Sequence, residues 1–367
     1  MLQNKAYKFR IYPTKAQQVL IAKTIGSSRF VYNHCLNLWD KTFKETGKGL
    51  SYAKCSAMLP ALKKELEWLK EVDSIALQTS VRNLADSYDR FFKGQNDKPV
   101  FKSKLNPVQS YTTKFTNNNI AIVGDNIKLP KLGLVPIKLS QPLSGRIINT
   151  TIRRVPSGKY FVSILCEVDI QELPKTHKAV GIDLGLKTFA TFSDDTSDIE
   201  NPNYLRKYEK KLAKLQRSLS HKTKGGSNYN KNKLKIARLH EKIANCRNDF
   251  LQKHSTNIIK SHDIICMEDL KVKHMLQDKQ LAKAISEVSW SMFKTMLEYK
   301  AKWYGKRIIT VDVHFASSQL CSVCGYKNSE VKNLGLREWT CDKCHTHHQR
   351  DKNASINLLQ EGLRIIT

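Results

Sequence analysis

The 367-residue chain carries 62 Lys and Arg against 33 Asp and Glu, a net charge of +29. Such an excess repels itself unless a polyanion neutralises it, and its spread along the whole chain favours long nucleic-acid channels over a basic arm on a neutral body. The length allows two or three domains, and 40% hydrophobic with 26% charged residues suits a soluble globular protein. No run approaches the ~18 apolar residues of a membrane span, and Met1-Leu2-Gln3-Asn4-Lys5 offers no apolar signal core. Nine cysteines are present. Four form two close pairs, while Cys35, Cys55, Cys166, Cys246 and Cys266 stand alone, the usage of a reducing cytosol with a metal site rather than a disulfide framework. A cytoplasmic location is expected.

Residues 5–12 alternate polar and apolar and read as a strand with a basic face; Pro13 ends it and Thr14 can cap the helix that follows. From there to about Phe92 the pattern is helical, with Leu77, Val81, Leu84, Tyr88 and Phe91 spaced as a core stripe. Between about 96 and 170, short apolar runs separated by Gly, Pro and Asn read as a small β-barrel completed by the N-terminal strand, so that the helices of 14–92 are an insertion. Val180 to Phe192 reads as a hairpin of buried strands. Next come two heptad stripes, Leu205, Tyr208, Leu212, Leu215, Leu219 and Ile236, Leu239, Ile243, Cys246, Phe250, separated by a polar loop from Lys222 to Lys233. They predict an antiparallel helical hairpin with a basic outer face, either simply solvated or tracking a nucleic-acid backbone. A strand, Asp263 to Met267, leads into Glu268; a helix from Trp290 to Tyr304 and a strand from Arg307 to Val313 follow. The order predicts an α/β nuclease core.

Cys321-x-x-Cys324 and Cys341-x-x-Cys344, sixteen residues apart, have the spacing of a structural zinc site with four thiolates. A closed sulfur shell holds a fold and does no chemistry; its apparent binding energy in small motifs is roughly 10–16 kcal/mol. His345, His347 and His348 lie near enough to compete as ligands.

Three carboxylates stand at the edges of apolar elements, where an unpaired charge is costly. Asp183 lies within Gly181-Ile182-Asp183-Leu184-Gly185, Glu268 follows Ile264-Ile265-Cys266-Met267, and Asp351 opens a helix from Lys352 to Leu363. Singly, each has a structural reading, such as a helix cap for Asp351 or a salt bridge for Glu268. Converging carboxylates need a cation, and magnesium suits the set because it takes oxygen ligands and completes its shell with water and substrate phosphate. Two magnesium ions about 4 Å apart would activate a water and stabilise the leaving 3′ oxygen.

These residues resemble the TnpB (OrfB) family, transposon-encoded RNA-guided nucleases related to type V CRISPR effectors, over nearly the whole chain. Tyr7-Lys8-Phe9-Arg10-Ile11-Tyr12-Pro13-Thr14 and Arg29-Phe30-Val31-Tyr32-Asn33 resemble its N-terminal signature. Gly181 to Gly185, Met267-Glu268-Asp269-Leu270 and Arg350-Asp351-Lys352-Asn353-Ala354 resemble its three RuvC motifs. Ser317-Ser318-Gln319-x-Cys321-Ser322-x-Cys324-Gly325 and Trp339-x-Cys341 resemble its ribbon. The resemblance implies an α/β architecture: a RuvC-like RNase H nuclease domain with an inserted zinc ribbon, behind a β-barrel wedge with an inserted helical recognition domain. It places the wedge strand at 1–13, the helical domain at 14–95, the wedge barrel at 96–175 and the first nuclease part at 176–316. The helical hairpin then spans 203–260, the ribbon 317–347 and the terminal nuclease helix 348–367.

It further implies a guide RNA from the transposon end, a double-stranded DNA target beside a short duplex motif, and one protein copy per RNA. Base pairing would read the sequence and the protein the motif, with Tyr52 and Gln78 where motif contacts would fall. One site built on Asp183, Glu268 and Asp351 would cut both strands in succession. The chain departs from the family at Gln349, where Asp is common, at His345, where glycine is usual, and at Asn248 and Gln252, where Arg and His are common. Gln349 puts the orientation of the metal ligands in doubt. Two alternatives are a guide-independent transposase or RuvC-like nuclease, and an RNA-guided repressor without cleavage. The first leaves the bulky basic N-terminal half unexplained; the second should lack a carboxylate, and all three are present.

Overall fold

Alternation in β1 (Leu2–Ile11) buries Tyr7, Phe9 and Ile11 and turns Lys8 and Arg10 outward. The computed structural model describes residues 1–277, 282–333 and 335–367. The chain forms two compact units, Leu2–Asp169 and Ile170–Thr367 with Met1.

In the first unit, Thr14 and Gln17 close a capping box: Gln17 N donates to Thr14 Oγ1 (3.3 Å) and Thr14 N donates to Gln17 Oε1 (2.9 Å). One helix, α1 (Lys15–Thr46), starts there and ends at Gly47, whose φ of 67° suits a residue without Cβ. The helices α2 (Tyr52–Ala57), α3 (Leu59–Glu65) and α4 (Ser74–Phe92) follow. The stripe Leu77, Val81, Leu84, Tyr88 packs on Val31, Tyr32, Leu36 and Cys55, with Phe91 at its edge.

The chain then returns to the sheet as β2 (Gln109–Lys114), β3 (Ala121–Val123), β4 (Asn126–Leu129), β5 (Gly133–Lys138), β6 (Arg146–Arg154) and β7 (Tyr160–Asp169). The order is β2-β6-β7-β1-β5-β4-β3, with β1 paired along its length to β7, so the helices interrupt a sheet that the N-terminal strand completes. Among the described residues no ladder joins β2 to β3, the two edges of this sheet.

The second unit holds β8 (Ala179–Asp183), β9 (Thr188–Phe192) and β10 (Ile199–Glu200), then the helices α5 (Tyr204–Ser220) and α6 (Ser227–Ser261). Leu212, Leu239 and Ile243 bury the seam of this helical pair. The expected polar loop at 222–233 is shorter than its composition suggests. α6 begins at Ser227, because polar residues such as Asn228 and Lys231 leave no apolar stripe yet still propagate a helix from the turn at Gly225–Gly226.

After α6 come β11 (Ile264–Glu268), α7 (Val272–Met275), α8 (Ala282–Val288), α9 (Trp290–Tyr304), β12 (Arg307–Val311), the small hairpin β13 (Glu338–Thr340) and β14 (His347–Gln349), and α10 (Arg350–Ile366). The sheet order is β10-β9-β8-β11-β12, with β8, β11 and β12 parallel and β9 antiparallel to β8.

Val180, Ile182, Ile265 and Met267 face a core built with Leu251, Ile258, Phe293 and Leu297 of α6 and α9. The alternate residues face α10. A Cβ on Gly181 would overlap the Ser355 carbonyl oxygen and lie 2.7 Å from Leu359 N, and one on Gly362 would overlap Cys266 Sγ. Glycine at 181 and 362 thus lets α10 lie directly on β8 and β11. Gly181→Ala is expected to destabilise the fold by about 3 kcal/mol through overpacking, read as a lower denaturant midpoint with unchanged slope.

Lys300 on α9 is 5% exposed and donates to Gln252 O (2.9 Å), Ser255 Oγ (2.7 Å) and Thr256 Oγ1 (2.8 Å) on α6. No carboxylate among the described residues pairs with it, and burial lowers its pKa from 10.5 to about 8. The folded state therefore penalises the charged form, and stability rises with pH from about 8 toward 10.5. Ser255 and Thr256 keep their own bonds to Leu251 O and Gln252 O when the ammonium is removed. Lys300→Met is expected to raise stability at pH 7 by about 2 kcal/mol, with the advantage closing above pH 8 in a melting series.

Candidate active site and metal centre

Strand parity brings the first two carboxylates together. Asp183 is two residues beyond Gly181 on β8 and Glu268 two beyond Cys266 on β11, so both face the side on which α10 lies. The strands are parallel with Met267 opposite Ile182, which sets Asp183 and Glu268 side by side at the same sheet end. α10 runs antiparallel to β8, and Asp351 in its first turn lies one turn before Ser355, the residue over Gly181. Three elements thus deliver three carboxylates to one place.

The electrostatics report the crowding. Burial first, then the charges of Asp351 and Glu268, push the Asp183 carboxyl up to about 7, against a smaller opposing pull from Arg350 and Arg337. Burial and neighbouring Asp269 raise Glu268. All three are half-buried, so solvent reaches the cluster. Asp183, raised by burial and by the charges of Asp351 and Glu268, faces two further oxygen donors, a chemistry that a divalent cation such as magnesium would suit. Asp351 also gains from the helix N-terminus; the N-cap is Gln349, whose exposed side chain makes no capping bond.

Three basic groups frame this place, and of them the sequence reading names only Lys352, as part of a motif. Arg337 Nη1 lies 3.3 Å from Asp351 Oδ2. Lys352 Nζ donates to Phe192 O (2.9 Å) and Asp194 O (2.6 Å), tying the start of α10 to the end of β9. Lys294 pairs with Asp269 at 2.6 Å and, with Glu268, Leu184 and Glu298, lines a 200 Å³ cavity.

Cys321, Cys324, Cys341 and Cys344 offer sulfurs that all lie within 4.8 Å of one another. The Cys321–Cys344 and Cys324–Cys341 Sγ distances are both 3.6 Å. Four sulfurs at 2.3 Å from a tetrahedral ion would stand roughly 3.8 Å apart, so the set fits zinc. Hydrogen bonding with Thr346 pulls the Cys344 thiol down to about 6.

Each pair is a tight turn in which the residue after the second cysteine has positive φ, 73° at Gly325 and 55° at His345. Their N–H groups bond back to Cys321 O (2.9 Å) and Cys341 O (2.8 Å). Glycine would fit the second turn without strain, and His345 occupies a left-handed conformation there. The three nearby histidines are outside the four-sulfur set. His348 Nε2 lies 3.1 Å from Cys321 Sγ, and His347 Nε2 lies 3.7 Å from Glu338.

In the first unit, Tyr52 opens α2 beneath the Arg82 guanidinium, 3.5 Å from its ring centre. Gln78 is exposed one helical turn before Arg82 on α4, so the two motif-reading candidates border one face. Gln252 Nε2 bonds Tyr299 Oη at 3.1 Å.

Fold and site define a basic α/β protein with a carboxylate cluster at the end of a mixed sheet and a four-cysteine ribbon. Residues 163–279 match the OrfB model described as "Probable transposase", 290–358 match "Cas12f1-like, TNB domain" and 1–48 match an OrfB "Helix-turn-helix domain". The last segment is here a strand and one continuous helix.

The chain is 37% identical over 364 residues to a Streptomyces pristinaespiralis protein named "Putative RNA-guided DNA endonuclease", covering 98% of this chain and 89% of the relative. It is 32% identical over 387 residues to "Putative RNA-guided DNA endonuclease InsQ" of Escherichia coli (strain K12), covering 100% and 94%. A Cas12f1 chain solved in complex with sgRNA and target DNA aligns at 18% identity with a TM-score of 0.38, covering 97% of this chain and 99% of that one. The chain belongs to the TnpB (OrfB) family.

Proposed function

We propose that this protein is an RNA-guided DNA endonuclease that hydrolyses phosphodiester bonds at Asp183, Glu268 and Asp351. The observation that carries the reading is the convergence of three carboxylates from three separate elements, where burial first and then the charges of Asp351 and Glu268 lift Asp183 to about 7. The names of relatives aligned over nearly the whole chain support the RNA guide and DNA target.

Asp183, Glu268 and Asp351 hold magnesium, which when bound supplies Lewis-acid activation of water and of the leaving oxygen. Arg337 limits repulsion at Asp351, and Lys352 keeps the start of α10 against β9. The mixed sheet with α10 serves as a RuvC-like RNase H core, the four cysteines hold a structural zinc, and the first unit serves as wedge and recognition lobe. Tyr52 and Gln78 read the duplex motif beside the target, and one protein copy serves each RNA in the cytosol. No helix among the described residues is long and apolar enough to cross a membrane.

The net charge of +29 suits two polyanions held together. Purification from cells carrying the native flanking DNA, followed by sequencing of the bound RNA, tests the guide. A discrete RNA ending in variable sequence is expected; a well-folded preparation without one overturns the guided reading.

A further inference from the structure

α10 carries a row of amides, of which only Asn353 falls in a motif that the sequence marks. Asn353 and Asn357 are 1% and 4% exposed. Asn353 Oδ1 accepts from Ser322 N (2.9 Å) and its Nδ2 donates to Leu320 O (2.7 Å), so one side chain brackets Cys321 from both sides. Asn357 Nδ2 donates to Leu320 O and Ser317 O, both at 2.7 Å. Gln360, exposed, adds a bond from its Nε2 to Ser322 O at 3.1 Å.

A second connection runs through the hairpin. β14 passes directly into α10, Arg350 N donates to Arg337 O at 2.8 Å, and Arg337 pairs with Asp351. The helix that carries Asp351 is thus pinned on one side to the sheet through Gly181 and on another to a cysteine turn. Buried, hydrogen-bonded amides resist displacement, because any shift leaves polar atoms unpaired away from water.

We propose that Asn353 and Asn357 are positioning residues that lock the Cys321 turn onto α10, so that metal in the ribbon sets the place of Asp351 and couples the two metal sites. The coupling rests on the reading of the carboxylates as a divalent-ion site. By linkage it is reciprocal: zinc tightens divalent-ion binding by the factor by which the divalent ion tightens zinc.

The full-length chain tests this with manganese as the probe, free ion being followed by its magnetic-resonance signal. Stripping zinc from the parent protein is expected to weaken manganese binding about tenfold, a size usual for coupled sites. Asn353→Ala with zinc present should weaken manganese binding to a similar degree and release zinc faster to a chromogenic chelator. Stripping zinc from that variant should add little, and Arg364→Ala, at an exposed residue of α10 paired with Glu361, should leave both measurements unchanged. Asn357→Ala serves if Asn353→Ala does not fold, as judged by far-ultraviolet dichroism. Equal manganese affinity with and without zinc, in a chain of unchanged dichroism, overturns the coupling. Manganese binding that survives Asp183→Asn instead removes the carboxylate reading, and the coupling with it.

Discussion

Asp183→Asn is expected to lower DNA cleavage by roughly 10³-fold or more, since loss of a metal ligand costs several kcal/mol of transition-state stabilisation and each 1.36 kcal/mol is tenfold. RNA and DNA binding should persist, because the basic surfaces are untouched. The same substitution should act on stability in the opposite direction. The Asp183 carboxyl has its ordinary value of 3.8 in the unfolded chain and about 7 in the fold. Between those values the folded state holds the extra proton, so the stability of the metal-free protein falls as pH rises from about 4 to about 7. Asparagine carries no such penalty. Discounted for the solvent that reaches this half-buried group, its advantage should grow to about 2 kcal/mol at pH 7 and vanish near pH 4. Magnesium should raise the melting temperature of the parent protein above pH 7 and leave the variant unmoved. A variant that melts below the parent at neutral pH in chelator would mean that burial and the neighbouring charges do not penalise the ionised Asp183.

Cys324→Ser is expected to have the next largest effect. Among the described residues the ribbon's buried apolar groups are Val331 and Trp339 beside Cys321 and Cys341, too few to fold that segment without metal. Structural zinc contributes about 10–16 kcal/mol in comparable small motifs. Loss of one thiolate should therefore release the ion and expose Trp339 to water, shifting its emission to the red, while the helical dichroism of the rest is retained. Cleavage should fall with it, because Arg337 and β14 lead from the ribbon to Asp351. One zinc per chain in the variant, with unchanged Trp339 emission, would remove Cys324 from the ligand set.

The sequence announces features whose signal is local. Pro13 followed by Thr14 marks a helix start, two heptad stripes mark the α5–α6 pair, and four cysteines at fixed spacing mark the ribbon. Glu268 was legible because a run of strand-forming residues leads straight into it. What stayed hidden depends on partners distant in sequence. Arg337 is one of 62 basic residues, and only the β13–β14 hairpin turns it toward Asp351. Asn353 and Asn357 have the composition of a solvated helix face, yet they are buried because the cysteine turn lies against them. Gly181 falls in a run that reads as a strand, but its role in letting α10 approach β8 depends on a helix distant in sequence. Strand parity, which puts Asp183 and Glu268 on the α10 face, becomes readable only once the parallel register is known.

The most direct test of the central claim uses the RNA that purifies with the protein. Its variable end is rewritten to match a site on a supercoiled plasmid, and cleavage is followed with magnesium or chelator. Cleavage at the new site by the parent protein with magnesium, lost in Asp183→Asn and with a mismatched RNA, is the expected result. Cleavage that ignores the RNA sequence, or that survives loss of Asp183, would contradict the account.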